Sequence, residues 1–345
     1  MGLLATTVRD ILLSASNYGV AYDQLRELAG FSAEEIGDSG RMVEWEKAAN
    51  IWDLLADLTG NEQIGLILGT ETNISITGMV GFLMQASNTF EEAVEVYCKY
   101  GYMVCPMVTF AYKRDGDRAI IELHQNAMWK SSLPRSARIS IDFILANLIG
   151  FTKTLTGREI YPQTVEVEYT KEAVDEYRKL LKCQVLFNAP LHKIVYNAAD
   201  MQTKVLTSDT SLFQMFSGIL AQKKTLALQT CCRDTVKNLL VMQFKGQIPT
   251  VEEAAEGLGM TVRTLQRKLT EENTSFRTIA NEVKKDLALH LMKNPDATVT
   301  EVAEVLGYGD LPAFRRAFKT WTNTTPKEVK RKLKAEQLPV SAAFA

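Results

Sequence analysis

Apolar residues along this chain keep a helical spacing at both ends and change partly to a strand spacing in the middle. Through about residue 70 they recur every three or four positions, as in EKAANIWDLLADLTG, which predicts amphipathic helices. A further helix is predicted over 89–100, with Thr89 and Glu92 forming a capping box at its start. After it, β-branched and aromatic runs flank Asp115-Gly116-Asp117 and predict a hairpin.

The middle of the chain mixes the two spacings. Residues 135–156 predict a long amphipathic helix, and residues 164–170 alternate strictly, which predicts a strand. KEAVDEYRKLLK predicts a charged surface helix and HKIVYN a second strand, so this part is expected to be an α+β domain. From 201 to about 224 an amphipathic helix and a linker are predicted, which either form a dimer contact or pack on their own domain.

Helix starts in the last third of the chain are strongly marked. Thr250 with Glu253 and Thr298 with Glu301 predict two capping boxes, and Asp310 is predicted to cap the helix that begins LPAFRRAF. These signals predict an all-α C-terminal domain.

An internal repeat with a period of about 48 residues links EEAAEGLGM to TEVAEVLGY. Ala255 matches Ala303, and Gly259 matches Gly307. A small residue lets one helix cross close to the next, and glycine permits the sharp turn between them. Apolar residues four apart then anchor each second helix: Leu265 and Leu269 in the first copy, Phe314 and Phe318 in the second. Each copy is therefore predicted to be a helix-turn-helix unit.

The outward faces of the two second helices carry the candidate DNA contacts. In the first copy these are Arg263, Gln266 and Arg267, with Thr264 and Lys268 at the flanks. Arginine can pair bidentately with guanine and glutamine with adenine. In the second copy the candidates follow an apolar leading turn: Leu311, Pro312, Ala313, Arg315, Arg316 and Lys319. Specificity is expected to rest mainly on the first helix, and the second to position the protein on DNA.

The distribution of charge along the chain supports DNA binding, although the net charge of the whole chain does not. The whole chain has a net charge of −2, but residues 229–334 hold 18 basic and 13 acidic residues, or +5. The rest carries 21 basic and 28 acidic residues, or −7. Charged residues on a helix face usually form only a solvated surface and bind nothing. Because the helix-turn-helix pattern occurs twice in matching form, DNA binding explains these charges better than a solvated surface does.

The sequence lacks the motifs of common enzymes, metal proteins and membrane proteins. The sequence contains no P-loop, G-x-S-x-G, H-E-x-x-H or dinucleotide fingerprint, so no enzyme and no cofactor are predicted. Asp142, inside an apolar helix, is better explained by a structural partner than by catalysis. The three histidines lack ligand spacing, so no metal is predicted, and the five cysteines without a C-x-x-C pair fit a reducing cytoplasm. No apolar run reaches the roughly 20 residues of a membrane span.

Residues from about 229 to 333 resemble the DNA-binding domain of the AraC/XylS family of bacterial transcription regulators. The motifs that carry the resemblance are AAEGLGMTVRTLQRKL, VKKDLALHLM, VTEVAEVLGYGDLPAFRRAFKTWT and TPKEVKRKL. It implies two helix-turn-helix units joined by one helix and placed in successive major-groove segments, about one turn or roughly 34 Å apart. It also implies base contacts from these residues: Arg263, Gln266, Arg267, Leu311, Pro312, Ala313 and Arg316. The sequence departs from the family at Leu311 and Pro312, often polar there, and at Val329-Lys330, where Tyr-Arg is common.

Residues from about 20 to 205 resemble the arabinose-binding-type regulatory domain of the ornithine-utilisation regulator subgroup. This resemblance implies a sensor for a small effector, and dimerisation remains open. Five apolar residues could line a cavity, although ordinary core packing explains them better: Met103, Met107, Phe110, Tyr112 and Phe143. The acidic body favours a cationic or neutral effector.

Four segments are predicted: a regulatory domain at 1–200, a linker and dimer helix at 201–228, a DNA-binding domain at 229–334 and a tail at 335–345. The predicted function is transcription activation under control of a small effector, with double-stranded DNA and RNA polymerase as partners. The alternative keeps DNA binding and gives the N-terminal domain only dimerisation or a protein partner. An architectural DNA binder is disfavoured, because such proteins depend on broad positive charge.

Overall fold

The first hundred residues are mainly helical, as the spacing predicts. In this computed structural model the helices are α1 Ala5–Ala15, α2 Tyr22–Leu28, α3 Ala33–Gly37, α4 Trp45–Thr59, α5 Ile64–Glu71, α6 Met79–Ala86 and α7 Phe90–Tyr100. Two strands that the sequence analysis did not predict, β1 Gly2–Leu4 and β2 Met42–Glu44, form an antiparallel pair. Each is only three residues long, too short for alternation to be recognised.

The remaining elements follow in chain order. They are β3 Val108–Asp115, β4 Arg118–Gln125, α8 Ala127–Ser132, α9 Pro134–Thr156, β5 Thr164–Glu166, α10 Val174–Leu181, β6 Gln184–Leu186, β7 His192–Asn197, α11 Thr210–Thr230, α12 Cys232–Met242, α13 Val251–Gly257, α14 Val262–Glu271, α15 Phe276–Leu291, α16 Val299–Val305, α17 Leu311–Thr322 and α18 Pro326–Glu336. The structure describes residues 2–38, 41–170, 174–230, 232–242, 248–292 and 297–336.

These elements belong to two units. The N-terminal unit consists of residues 1–125 and 133–222, and the C-terminal unit of residues 126–132 and 223–345. The segment boundaries at 200, 228 and 334 stay predictions, and the end of the predicted tail, 337–345, lies outside the described residues.

The N-terminal unit contains a five-stranded sheet in the order β3-β4-β7-β5-β6. All neighbours are antiparallel except β5 and β6. The predicted hairpin is confirmed, with Asp115 opposite Arg118 and Gly116 at a φ of 56° in its turn. The predicted strand over 164–170 stops at Glu166, because beyond it the backbone N–H of Glu168 turns to the ring of His192.

The start of α7 differs in detail from the predicted capping box. The Thr89 hydroxyl accepts from the backbone N–H of Glu92 at 3.2 Å, as predicted. The Glu92 carboxylate accepts from the backbone N–H of Asn88 instead of that of Thr89. The second half of the predicted box is therefore wrong, and a neighbouring donor takes its place.

The core of the N-terminal unit is organised around α9, which packs closely on α5. Gly65 and Gly69 lie one turn apart on α5 and allow this approach. A methyl group at Gly65 would overlap the carbonyl oxygen of Ile139, and one at Gly69 would meet the carbonyl oxygen of Phe143 at 2.5 Å. By length and composition α9 could cross a membrane, but most of it is buried within the unit. Such burial is typical of the core helix of a soluble domain.

The C-terminal unit contains the predicted helices. Helix α12 packs on α13, α14 and α15, and α15 also contacts α16 and α17, so that one helix supports both copies of the repeat. Ion pairs fix α12 to α15, with Arg233 to Glu282 at 2.9 Å and Lys237 to Asp286 at 2.8 Å. The Glu272 carboxylate also caps α12, accepting from the backbone N–H groups of Cys232 at 2.6 Å and Arg233 at 2.7 Å.

Candidate nucleic-acid interface

The first copy of the repeat forms a complete helix-turn-helix. Thr250 and Glu253 make the predicted capping box at the start of α13. At its other end Gly259 has a φ of 68°, a left-handed conformation that favours glycine. The backbone N–H of Met260 donates to the Ala255 carbonyl at 3.0 Å and closes the turn before α14.

Helix α14 presents the predicted face to solvent. Leu265 and Leu269 are fully buried beneath it. Arg263, Gln266 and Arg267 are exposed. The turn between α13 and α14 and this pair of leucines therefore fix which side of α14 can meet DNA.

The two flanking candidates on α14 are half-buried. Thr264 lies at the helix start, where its hydroxyl is 2.9 Å from the hydroxyl of Thr261, and its backbone N–H donates to the same atom. Thr264 thus helps to fix the start of the helix in addition to its predicted DNA contact. Lys268 lies one turn further along, on the same side.

The second copy repeats the capping box and the turn of the first. Thr298 and Glu301 form the capping box of α16, and Gly307 has a φ of 74°. The backbone N–H of Tyr308 donates to the Ala303 carbonyl at 3.0 Å, as Met260 does to Ala255. The internal repeat in sequence is therefore a repeat in structure.

Helix α17 begins at the predicted cap and is anchored by aromatic packing. The Asp310 carboxylate accepts from the backbone N–H of Ala313 at 2.6 Å. Phe314 and Phe318 are fully buried, and the ring of Phe314 lies 5.4 Å from that of Tyr308. The Lys284 ammonium from α15 lies 5.1 Å from the Tyr308 ring centre, which ties the connecting helix to this copy. Burial lowers the pKa of Lys284 from its ordinary value.

The candidate residues on α17 differ in their exposure. Four are exposed and two are partly buried in the leading turn. The exposed ones are Pro312, Arg315, Arg316 and Lys319; the partly buried ones are Leu311 and Ala313. The first turn of α17 is apolar, as the sequence predicts, and its cations follow one turn later.

The positive charge on these faces is largely available for a ligand. Within the described part of the chain, Arg263, Arg315 and Arg316 form no ion pair. Arg267 pairs with Glu271 one turn later, at 3.1 Å, but both side chains are mostly exposed, at 66% and 59%. An exposed pair of this kind contributes about 0.3–0.5 kcal/mol. The Arg267 guanidinium can therefore exchange Glu271 for a base edge or a phosphate.

Sequence reasoning missed two acidic residues that shape this surface. Glu271 pairs with Arg267, and Glu272 caps α12. The spacing of four between Arg267 and Glu271 could have identified the first. No local signal predicts the second, because its partners lie 40 residues earlier in the chain.

The N-terminal unit buries a cluster of polar groups around Asp142. The hydroxyl of Tyr177 donates to its carboxylate at 2.7 Å, and the hydroxyl of Tyr169 donates to the other oxygen. Burial raises the pKa of the Asp142 carboxyl to about 7, against the opposing effect of these hydrogen bonds. His192 lies next to the cluster, its ring 5.5 Å from that of Tyr169. The structure therefore provides hydrogen-bonding partners for Asp142.

Two of the five apolar residues considered as a pocket lining pack against different partners. Phe110 packs edge-on against Tyr97, with ring centres 4.9 Å apart, whereas Phe143 packs against Trp52 at 5.0 Å. Met107 is buried, and Met103 and Tyr112 are half-buried. Among the described residues, no three His, Cys, Asp or Glu side chains are grouped in a way that could hold a metal ion.

Comparison with known proteins identifies the class. A family model of the arabinose-binding N-terminal domain of AraC transcription regulators matches residues 19–205, and a helix-turn-helix domain model matches residues 254–332. The chain belongs to the AraC family of transcription regulators, and it is a DNA-binding regulator rather than an enzyme.

Individual relatives are similar over most of their length. The ornithine utilization regulator of Pseudomonas aeruginosa is 24% identical over 318 residues, 91% of each chain. An uncharacterized helix-turn-helix regulator of Mycobacterium tuberculosis, Rv1395, is 27% identical over 81% of each chain. The crystal structure of the regulator CdpR from P. aeruginosa is 21% identical, covers 93% of this chain and 98% of its own, and aligns with a TM-score of 0.47.

Proposed function

We propose that the protein binds a bipartite DNA site, reading bases mainly with α14 and positioning itself with α17. The observation that supports this is the duplicated geometry: two turns closed by the same hydrogen bond, each followed by a helix with buried anchors and an exposed polar face. On α14 the base readers are Arg263, Gln266 and Arg267. On α17 Arg316 contacts a base, Leu311, Pro312 and Ala313 face thymine methyl groups, and Arg315 and Lys319 hold phosphates.

Replacing Arg267 with alanine tests this assignment. The change removes a bidentate donor, so affinity for a cognate site is expected to fall by roughly 1–3 kcal/mol, with relaxed preference at one base position. Fluorescence anisotropy with a set of single-base variants of the site measures both quantities.

The matched control is Glu271→Gln, which breaks the same ion pair and keeps the guanidinium. It is expected to preserve the base preference. An Arg267→Ala protein that loses affinity equally on cognate and random DNA would show that Arg267 contacts only phosphate.

We further propose that a small effector bound in the N-terminal unit controls transcription activation in the bacterial cytoplasm, through DNA affinity or contact with RNA polymerase. The family match over residues 19–205 supports an effector, and the net charge of −7 outside residues 229–334 favours a cationic or neutral one. One relative is named for utilization of ornithine, which recommends amino acids as the first compounds to test. Such an effector acts by favouring one of two conformations of the protein over the other. It can shift the balance between them only as far as its affinities for the two conformations differ.

A melting screen of the full-length protein tests effector control. Amino acids, sugars and fatty acids are added singly, and an effector is expected to raise the melting temperature and to change DNA affinity. If no compound does either, the N-terminal unit serves dimerisation or a protein partner, as the alternative holds.

A further inference from the structure

A buried carboxylate in the N-terminal unit has no cation paired with it. Asp142, on α9, is fully buried, and its carboxylate accepts hydrogen bonds from the hydroxyls of Tyr169 and Tyr177. Within the described part of the chain, no Lys, Arg or His forms an ion pair with Asp142. Arg138, one turn earlier on α9, pairs with Glu62 at 2.5 Å instead. The two hydroxyls leave the charge of an ionised Asp142 uncompensated, and a buried charge of that kind is costly.

The two tyrosines that bond Asp142 belong to a group of packed aromatic rings. The ring of Tyr177 lies 6.3 Å from that of Tyr169 and 5.4 Å from that of Phe187, and the ring of His192 lies 5.5 Å from that of Tyr169. We call these four residues and Asp142 the Asp142 cluster. A carboxylate among aromatic rings is suited to an ammonium group, because the carboxylate attracts it by charge and the ring faces attract it by cation–π interaction.

The outer part of the Asp142 cluster reaches the surface of the unit. Tyr177 and His192 are buried, whereas Tyr169 and Phe187 are partly exposed. Tyr169 follows β5 and Phe187 follows β6, and these two strands are parallel, so both rings lie beyond the same end of the sheet. Movement of the Tyr169 side chain would open one oxygen of Asp142 to a ligand and leave α9 and α10 in place.

The charges near the cluster restrict the class of ligand. The side chain of Glu168 is 23% exposed, and its carboxylate lies 3.9 Å from Nε2 of His192. An anionic ligand would meet two carboxylates here, and a neutral ligand would leave Asp142 uncompensated. A metal ion would need several ligating side chains, and the described residues contain no group of three that could hold one. An organic cation fits these conditions.

We propose that the Asp142 cluster is an effector site that takes the ammonium group of a small organic cation, with Asp142 as the counterion and Tyr169 as the side chain that the cation displaces. This inference rests on the proposed control by an effector in the N-terminal unit, and it adds the chemical class of the effector and the residues of its site. Displacement of Tyr169 changes the loop after β5, so the bound and free forms of the unit differ in conformation.

Binding should be linked to the release of a proton. Burial raises the pKa of the Asp142 carboxyl to about 7, and an ammonium group binds the ionised form. Below about pH 7 a proton must leave first, so affinity should fall about tenfold for each unit by which the pH decreases. The other charged or titratable groups that face the cluster are the two tyrosines, Arg138 on α9, His192 on β7 and Glu168 after β5. Asp142→Asn keeps all of these, so a pH dependence that belongs to Asp142 must disappear in this variant.

Calorimetric titration of the full-length protein with n-pentylammonium, up to about 20 mM at about pH 8, tests the proposal. The matched probes are n-pentanol, which is neutral, and pentanoate, which is anionic. Wild type is expected to bind the cation in preference to both, and Asp142→Asn should weaken that binding at least about tenfold. The control variant is Glu27→Gln, which removes one negative charge from a side chain of α2 that is 70% exposed and should bind as wild type does.

The proposal is overturned if n-pentylammonium does not bind, if Asp142→Asn binds it as tightly as wild type, or if n-pentanol binds equally well. A melting screen that finds only a neutral or anionic effector would leave effector control standing and remove the Asp142 site. A screen in which no compound of any class binds would contradict both proposals.

If circular dichroism shows that Asp142→Asn does not fold, Tyr169→Phe is the deciding variant. It removes a hydroxyl that competes with the ammonium group for Asp142 and keeps the aromatic ring. At about pH 9, where Asp142 is ionised, this variant should bind n-pentylammonium more tightly than wild type. Equal or weaker binding would overturn the proposal.

Discussion

Replacing Phe314 with alanine is expected to destabilise the second helix-turn-helix by about 3–5 kcal/mol, the usual cost of removing a buried phenylalanine ring. Phe314 is fully buried, and its ring lies 5.4 Å from Tyr308 and 5.6 Å from Phe318. Loss of this ring removes the support that fixes α17 on α16. Because α14 is anchored separately by Leu265 and Leu269, the first copy should stay folded.

The consequence for DNA binding is selective. The Phe314→Ala protein is expected to keep the base preferences set by α14 and to lose those set by α17, with weaker overall affinity. Hydrogen exchange should show lost protection in α16 and α17 only. Phe314→Leu, which retains most of the apolar volume, serves as the control and should largely restore both. A Phe314→Ala protein that keeps its base preferences across the whole site would contradict the assignment of separate parts of the site to α14 and α17.

Replacing Asp142 with asparagine is expected to change how stability depends on pH. The unfolded chain releases this proton near the ordinary value of 3.8, whereas the folded protein keeps it to about 7. Between these values the folded state binds more protons, so wild-type stability falls as pH rises. The full difference amounts to about 4 kcal/mol, since each pKa unit corresponds to about 1.4 kcal/mol. Asparagine can still bond Tyr169 and Tyr177 but does not titrate.

Urea unfolding of both proteins between about pH 5 and pH 8 measures the effect. Asp142→Asn should gain stability relative to wild type across this range. Tyr177→Phe removes a hydrogen bond that favours the carboxylate form of Asp142, so it should raise the pKa of Asp142 further. The fall in stability with rising pH should then continue to higher pH than in wild type. Parallel stability profiles for wild type and Asp142→Asn would show that the Asp142 carboxyl has the same pKa in the folded and unfolded states.

Local signals in the sequence predicted the helices and turns of the C-terminal unit well. The capping residues of α13, α16 and α17 interact within three positions, and the turns at Gly259 and Gly307 depend on one residue each. Such features are determined by neighbouring residues, so they can be recognised without knowing the rest of the structure.

Features that depend on distant parts of the chain escaped prediction. The close packing at Gly65 depends on Ile139, and the Tyr177 partner of Asp142 lies 35 residues away. Strands β1, β2 and β6 are three residues long and exist only through their pairing. The identity of the DNA contacts stays a prediction, because an exposed arginine has the same local sequence signal whether or not it touches a base.

Selection from a random DNA library by the full-length protein, followed by sequencing, tests the central claim most directly. Two conserved blocks about one helical turn, or roughly 10 base pairs, apart are predicted for one bound chain. The more strongly conserved block should lose a base preference with Arg267→Ala, and the weaker block should disappear with Phe314→Ala. A single conserved block, or no enriched sequence at all, would contradict the claim that one chain reads DNA through two helix-turn-helix units.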